Sequence, residues 1–133
     1  MTDAASRTPE EWTARGAACF PGKIGMRVLQ VEPSEVVAAF DAGPELYAPN
    51  GFLHAGTLIT LADTCCGYGA VRTLPEGATG FTTIDLNANM VGTAREGTVL
   101  CSAKPLHLGR TTQVWEATAT AEASTGRRVS SSA

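Results

Sequence analysis

The sequence predicts an α+β domain in which a curved antiparallel sheet wraps one long central helix. Three observations carry this reading. The stretch Ala55–Arg72 is apolar around most of its circumference, and a helix of that kind needs protein on nearly every side. The runs after Gly80 alternate in the manner of strands and are separated by turn residues. The chain has 133 residues, which suits one domain with a single core.

The elements follow in order. Thr8-Pro9-Glu10-Glu11 spells a helix start: Thr8 caps, Pro9 fits the first turn, and Glu11 closes a capping box. This helix ends near Gly16, and Phe20-Pro21-Gly22 breaks the chain, so residues 1–22 form an N-terminal helix and lead-in. Met26 to Glu32 reads as a strand that turns at Pro33-Ser34 and returns through Glu35 to Phe40 as a hairpin. Pro44 to Leu53 is a loop, and the apolar helix runs from Ala55 to Arg72, ending at Leu74-Pro75-Glu76-Gly77. Gly80 to Val91 then alternates, with Thr83, Asp85, Asn87 and Asn89 on one face. Thr98 to Leu106 and Thr111 to Ala123 form two strands around a tight turn at Leu108-Gly109-Arg110, and a short last strand starts at Arg127. Residues 130–133 are expected to fray. No repeat or linker divides residues 1–133.

Composition excludes several classes of function. A net charge of −3 with no cluster of Lys or Arg argues against a nucleic-acid partner. No stretch is long and apolar enough to span a membrane, and the N-terminus lacks the apolar segment of a signal peptide. Cys19, Cys65, Cys66 and Cys101 have no metal-ligand spacing, so the expectation is reduced thiols, no metal and a cytoplasmic setting.

Asp63 is the only charged side chain between Glu45 and Arg72. Taking a lone carboxylate out of water costs several kcal/mol, on the order of the desolvation of one ion, unless it is paired. A desolvated acid without a basic neighbour is therefore a candidate for chemistry, although structural ion pairs also perturb acids. At helical spacing Thr60, Asp63, Thr64 and Gly67 share one narrow face, which suits a ligand groove or close helix packing. Ahead of the helix lies Asn50-Gly51-Phe52-Leu53-His54-Ala55-Gly56. First-turn amides there lack helical partners and could polarise a carbonyl oxygen. Taken alone, Asn50 and His54 read equally as loop-ordering or capping residues. Phe52, Leu53, Tyr68 and Phe81 are candidates for an acyl pocket or for core.

The run from Asn50 to Thr64 resembles the signature of hotdog-fold acyl-CoA thioesterases of the phenylacetate-degradation type, a loop Asn or Gln followed by His-Gly-Gly and then an acid. The likeness extends through Phe81-Thr82-Thr83-Ile84-Asp85-Leu86-Asn87 and Leu106-His107-Leu108-Gly109-Arg110-Thr111-Thr112, and covers roughly residues 43–123. It implies a hotdog fold and hydrolysis of an aryl- or short- to medium-chain acyl-CoA to the free acid and CoA. Asp63 would be the general base or nucleophile, the Ala55 amide would polarise the thioester carbonyl, and Asn50 would hold water or substrate. Thr83 matches a Ser or Thr that orients water in some members; Gly109, Arg110 and Thr111 match the turn that contacts the CoA phosphates. His54 occupies the family's His position in a more structural role.

The resemblance further implies a homodimer with active sites shared between subunits, pairing into a homotetramer. Coenzyme A would be part of the substrate, and no other cofactor is needed. Three departures stand out. Ala55 replaces the first Gly, the spacing from Asn50 to His54 is shorter than in some members, and the chain stops at Ser130-Ser131-Ser132-Ala133 where relatives continue with an apolar strand. Two other readings are a non-catalytic acyl-CoA binder and a hydratase or dehydratase of enoyl thioesters.

Overall fold

Thr8 opens the first α-helix with the reciprocal bonds its sequence calls for. The Glu11 N–H donates to Thr8 Oγ1 at 3.1 Å and the Thr8 N–H donates to Glu11 Oε1 at 3.0 Å. In this computed structural model, which describes residues 3–121 and the backbone of 128–132, α1 spans Pro9–Gly16 and a short α2 follows at Phe20–Lys23. The hairpin β1 (Arg27–Glu32) and β2 (Glu35–Ala42) turns at the expected Pro33-Ser34. A single 3-10 turn at Pro44–Leu46 interrupts the loop that leads to α3 (Ala55–Arg72). Strands β3 (Asn87–Met90), β4 (Gly97–Leu108), β5 (Gln113–Ala121) and β6 (Arg128–Ser132) complete the order. Of the segment expected to fray, residues 130–132 belong to β6, and Ala133 lies outside the described residues.

All six strands join one antiparallel sheet in the order β1-β2-β4-β5-β6-β3. Helix α3 packs on it, chiefly against β2, β4 and β5. The core forms where Leu58, Leu61, Ala62, Cys65 and Cys66 of α3 meet Val36, Ala38, Phe40, Val99, Cys101 and Ala117 of the sheet. These helix residues recur at the three- and four-residue spacing that keeps one face on the sheet. Thr60, Asp63, Thr64 and Gly67 lie together on the half-buried side, as their spacing predicts.

One expected strand is shorter than its sequence suggests. Only Asn87–Met90 of the alternating run from Gly80 to Val91 joins the sheet, pairing with β6 at its edge. β6 has five residues and pairs with all four of β3, so residues 80–86 run past it with no neighbouring strand among the described residues. The side chains of residues 81–85 are accordingly exposed on both faces, with Ile84 at 82% and Phe81 at 50%. Alternation marks a chain able to pair; the partner must be supplied separately.

Candidate active site

Asp63 sits midway along α3, on its half-buried stripe. Burial alone pushes its carboxyl above the ordinary Asp range, because the charged form loses water without gaining a cation. Among the described residues it has neither an ion pair nor a hydrogen bond; the salt bridge there, Arg27–Asp41, is on the surface. It faces a cavity of about 240 Å³ that is open to solvent on one side. Four segments meet there: the α3 stripe, the turn after α3, the free stretch of residues 80–84, and the β4–β5 turn with the start of β5.

This cavity gathers part of the residue set expected from sequence. Asp63, Thr83, Gly109, Arg110 and Thr111 all line it. Asn50, His54 and Ala55 do not; they stand at the N-terminal end of α3. Ala55 precedes Asp63 by eight positions, about 12 Å along the helix axis at the α-helical rise of about 1.5 Å per residue. Within one chain the acid and the first-turn amide therefore cannot converge on one carbonyl carbon.

At that N-terminal end, two side chains have visible structural work. His54 is the N-cap, and its Nδ1 accepts the Gly56 N–H at 2.8 Å. Asn50 Oδ1 accepts the Phe52 N–H at 3.1 Å, an Asx turn that orders the loop. The Thr57 N–H donates to the His54 carbonyl at 3.0 Å. The Ala55 N–H meets no acceptor among the described residues, so this first-turn amide is left available. The loop is fastened from outside: the Leu53 N–H donates to the Ala94 carbonyl at 2.8 Å, the Tyr47 hydroxyl donates to the Arg95 carbonyl, and the Arg95 guanidinium lies 4.3 Å from the centre of the Phe52 ring.

Of the apolar candidates, Phe81 lines the cavity and touches α3 where Gly67 leaves room: a Cβ there would lie 3.1 Å from Phe81 Cζ. Leu53 belongs to the core, Tyr68 packs 5.0 Å from Trp12, and Phe52 stands under Arg95. Cys66 also lines the cavity, but burial, with Cys101 and Asp63 nearby, pushes its thiol up to about 12. It stays protonated at neutral pH and is no nucleophile. Among the described residues no group of three or more His, Cys, Asp or Glu side chains could hold a metal ion, and no helix is long and apolar enough to cross a membrane.

Sequence reading missed Gln113 and Trp115, which also line the cavity. A signal did exist: both lie on one face of a strand that starts directly after the Gly109-Arg110-Thr111 turn, two residues apart.

Comparison with known proteins bears on this geometry. Residues 50–126 match the thioesterase superfamily. The chain is 33% identical over 109 residues to a 1,4-dihydroxy-2-naphthoyl-CoA hydrolase of Escherichia coli, an alignment covering 82% of this chain and 79% of that one. It is 30% identical over 93 residues to the protein of that name in Listeria monocytogenes, covering 70% and 75%. Among solved structures, a thioesterase of Haemophilus influenzae superposes with a TM-score of 0.84 at 26% identity, over 94% of this chain and 87% of that one. A mutant thioesterase of Pseudomonas aeruginosa superposes with a TM-score of 0.84 at 22% identity, over 96% and 94%, a likeness of fold.

Proposed function

Because this chain belongs to the thioesterase superfamily and has the hotdog fold, we propose that it hydrolyses acyl-CoA thioesters to the free acid and CoA. The observation that carries this reading is Asp63: a half-buried acid with no counter-ion among the described residues, in a cavity it shares with Thr83 and the Gly109–Thr111 turn. The 1,4-dihydroxy-2-naphthoyl-CoA hydrolases among its relatives support an acyl-CoA substrate, and the acyl group in this reading is aryl or short- to medium-chain.

In the reaction, Asp63 accepts a proton from water as the water oxygen attacks the thioester carbonyl. The carbon–sulfur bond then breaks and the thiolate leaves, taking up a proton to give CoA. Direct attack by the carboxylate, forming an acyl-enzyme anhydride that water opens, uses the same residue. Thr83, together with Asn50 of a second copy, orients water or substrate, and Arg110 with the backbone of Gly109 and Thr111 meets the CoA phosphates, for which a guanidinium is suited. Amide donors and one carboxylate suffice for this chemistry, so the reaction needs no metal or redox cofactor.

The carbonyl is polarised by the Ala55 N–H of a second copy, since the same chain's amide lies two helical turns away. The second copy pairs along the open β3 edge and residues 80–86, giving a dimer with shared sites that pairs further into a tetramer. His54 serves as the cap that holds this amide in place. A cytoplasmic setting fits the free cysteines and the substrate.

A thiol-release assay across benzoyl-, acetyl-, hexanoyl- and decanoyl-CoA tests the proposal, with Asp63→Asn as control. The expected result is hydrolysis by the wild type and a loss of about 10²–10⁴-fold in kcat for the variant, the range of one general base. Acyl-CoA binding with no thiol released from any of them would make the chain a binder, and water addition to an enoyl thioester would make it a hydratase.

A further inference from the structure

Trp115 lines the cavity and is fixed there by a hydrogen bond and by close contact with α3. Its indole Nε1–H donates to Gln113 Oε1 at 2.8 Å. Gln113 is fixed in turn by α3: its Nε2 donates to the Thr73 carbonyl at 3.2 Å, while the Thr73 hydroxyl, 3.3 Å from Gln113 Oε1, gives its one proton to the nearer Gly69 carbonyl at 2.8 Å. Thr73 is the C-cap of α3. One carboxamide thus ties the end of the helix to the start of β5.

The ring also lies directly on the helix. A Cβ at Gly69 would stand 2.4 Å from its Cη2 and 2.6 Å from its Cζ3, so only glycine admits the indole here. Opposite Trp115, β4 carries a register shift between Pro105 and His107. Such bulges re-aim side chains and are frequent beside active sites. Trp115 is 2% exposed, so its position is set from every side.

Resting on the proposed hydrolysis at Asp63, we infer that Trp115 is the specificity wall of the acyl pocket and Gln113 its positioning residue. An acyl group whose carbonyl is at Asp63 runs along Gly67 and Ala70, one and two turns on, and meets the indole. The wall sets the largest group the pocket encloses. An apolar cavity of about 150 Å³ takes benzene; the roughly 240 Å³ here takes a ring-sized acyl group. A long flexible chain meets the indole and must turn back to solvent.

Two measurements test this together. The first is kcat/KM for benzoyl-CoA and decanoyl-CoA with the wild type, Trp115→Phe and Gln113→Leu. The wild type should prefer benzoyl-CoA, and Trp115→Phe should lower that preference at least about tenfold, the scale of small size changes in apolar pockets. Gln113→Leu should raise KM for benzoyl-CoA several-fold with kcat nearly unchanged, because a loosened wall weakens ground and transition states alike. The second is the indole N–H signal of Trp115 in a ¹⁵N–¹H spectrum, assigned by its loss in Trp115→Phe, during titration with benzoate and with decanoate.

Benzoate should shift that signal at lower concentration than decanoate, whether or not any thioester is hydrolysed. A benzoate shift without hydrolysis would sink the proposed function and leave the wall assignment standing. Hydrolysis with an unmoved indole signal, or an unchanged preference in a folded Trp115→Phe enzyme, would overturn the wall and leave hydrolysis in place. A protein that neither hydrolyses these thioesters nor responds to these acids would refute both.

Discussion

Helix α3 carries two chemically opposite groups in opposite surroundings. At its N-terminal end the Ala55 amide belongs to an exposed residue and meets no acceptor among the described residues, and the neighbouring His54 and Asn50 cap the helix and turn the loop. Midway along, Asp63 is half-buried, has no counter-ion among the described residues, and lines a formed cavity. Among the described residues no donor stands beside the acid and no acid beside the free amide. In the proposed reaction each chain would then supply one half of a site at each of two places, and a two-fold pairing would complete both at once.

Breaking the acid half should have the largest effect. Asp63→Asn keeps the shape of the side chain and removes the base, so kcat should fall by about 10²–10⁴-fold in a thiol-release assay. Breaking the donor half calls for a change confined to one hydrogen atom, and Ala55→Pro comes close to that. Ala55 is the first helical residue, where proline is favoured, and His54 already has the extended backbone (φ −66°, ψ 133°) that precedes a proline. The variant should fold and melt like the wild type yet lose about 10²–10³-fold in kcat, the cost of one carbonyl-polarising donor. An equally active Ala55→Pro enzyme would show that the amide takes no part.

The two halves should also differ in how they respond to pH. Burial raises the Asp63 pKa, so the acid limb of the rate profile should lie at higher pH than an ordinary Asp would give. The sign for stability follows from the charged form being the penalised one. The protonated acid is tolerated fully below the ordinary Asp value of 3.8, and stability is lost as pH rises through the raised folded value. Asp63→Asn should therefore melt above the wild type at neutral pH, with the gain vanishing in acid, as calorimetry across pH 3–8 would read. The smallest effect belongs to the donor end: His54→Ala removes the cap and should cost about 1 kcal/mol in a denaturant titration.

Much of this fold was legible in short-range pattern. The bounds of α3, the Thr8–Glu11 capping box, the Pro33-Ser34 hairpin and the turn at Gly109 rest on local chemistry, and the structure has all of them. Residues 80–86 were less readable, because alternation shows a chain fit to pair without naming its neighbour. The same limit applies to the site. The exceptional Asp63 could be singled out within its own helix, and the face shared by Thr60, Asp63, Thr64 and Gly67 follows from helical spacing. For Gln113 and Trp115 the sequence offers only a shared strand face after the Gly109 turn, since their importance comes from contacts with Thr73 and Gly69, some forty residues earlier along the chain. The separation of Ala55 from Asp63, by contrast, could be counted from the sequence once the helix was assigned.

Subunit complementation tests the two-copy site most directly. Asp63→Asn and Ala55→Pro, each inactive alone, are unfolded, mixed in equal amounts and refolded together. Half the dimers should then be mixed and carry one intact site of two, restoring about a quarter of wild-type activity by simple two-fold symmetry. A mixture no more active than its separate parents would contradict an acid and an amide drawn from different chains.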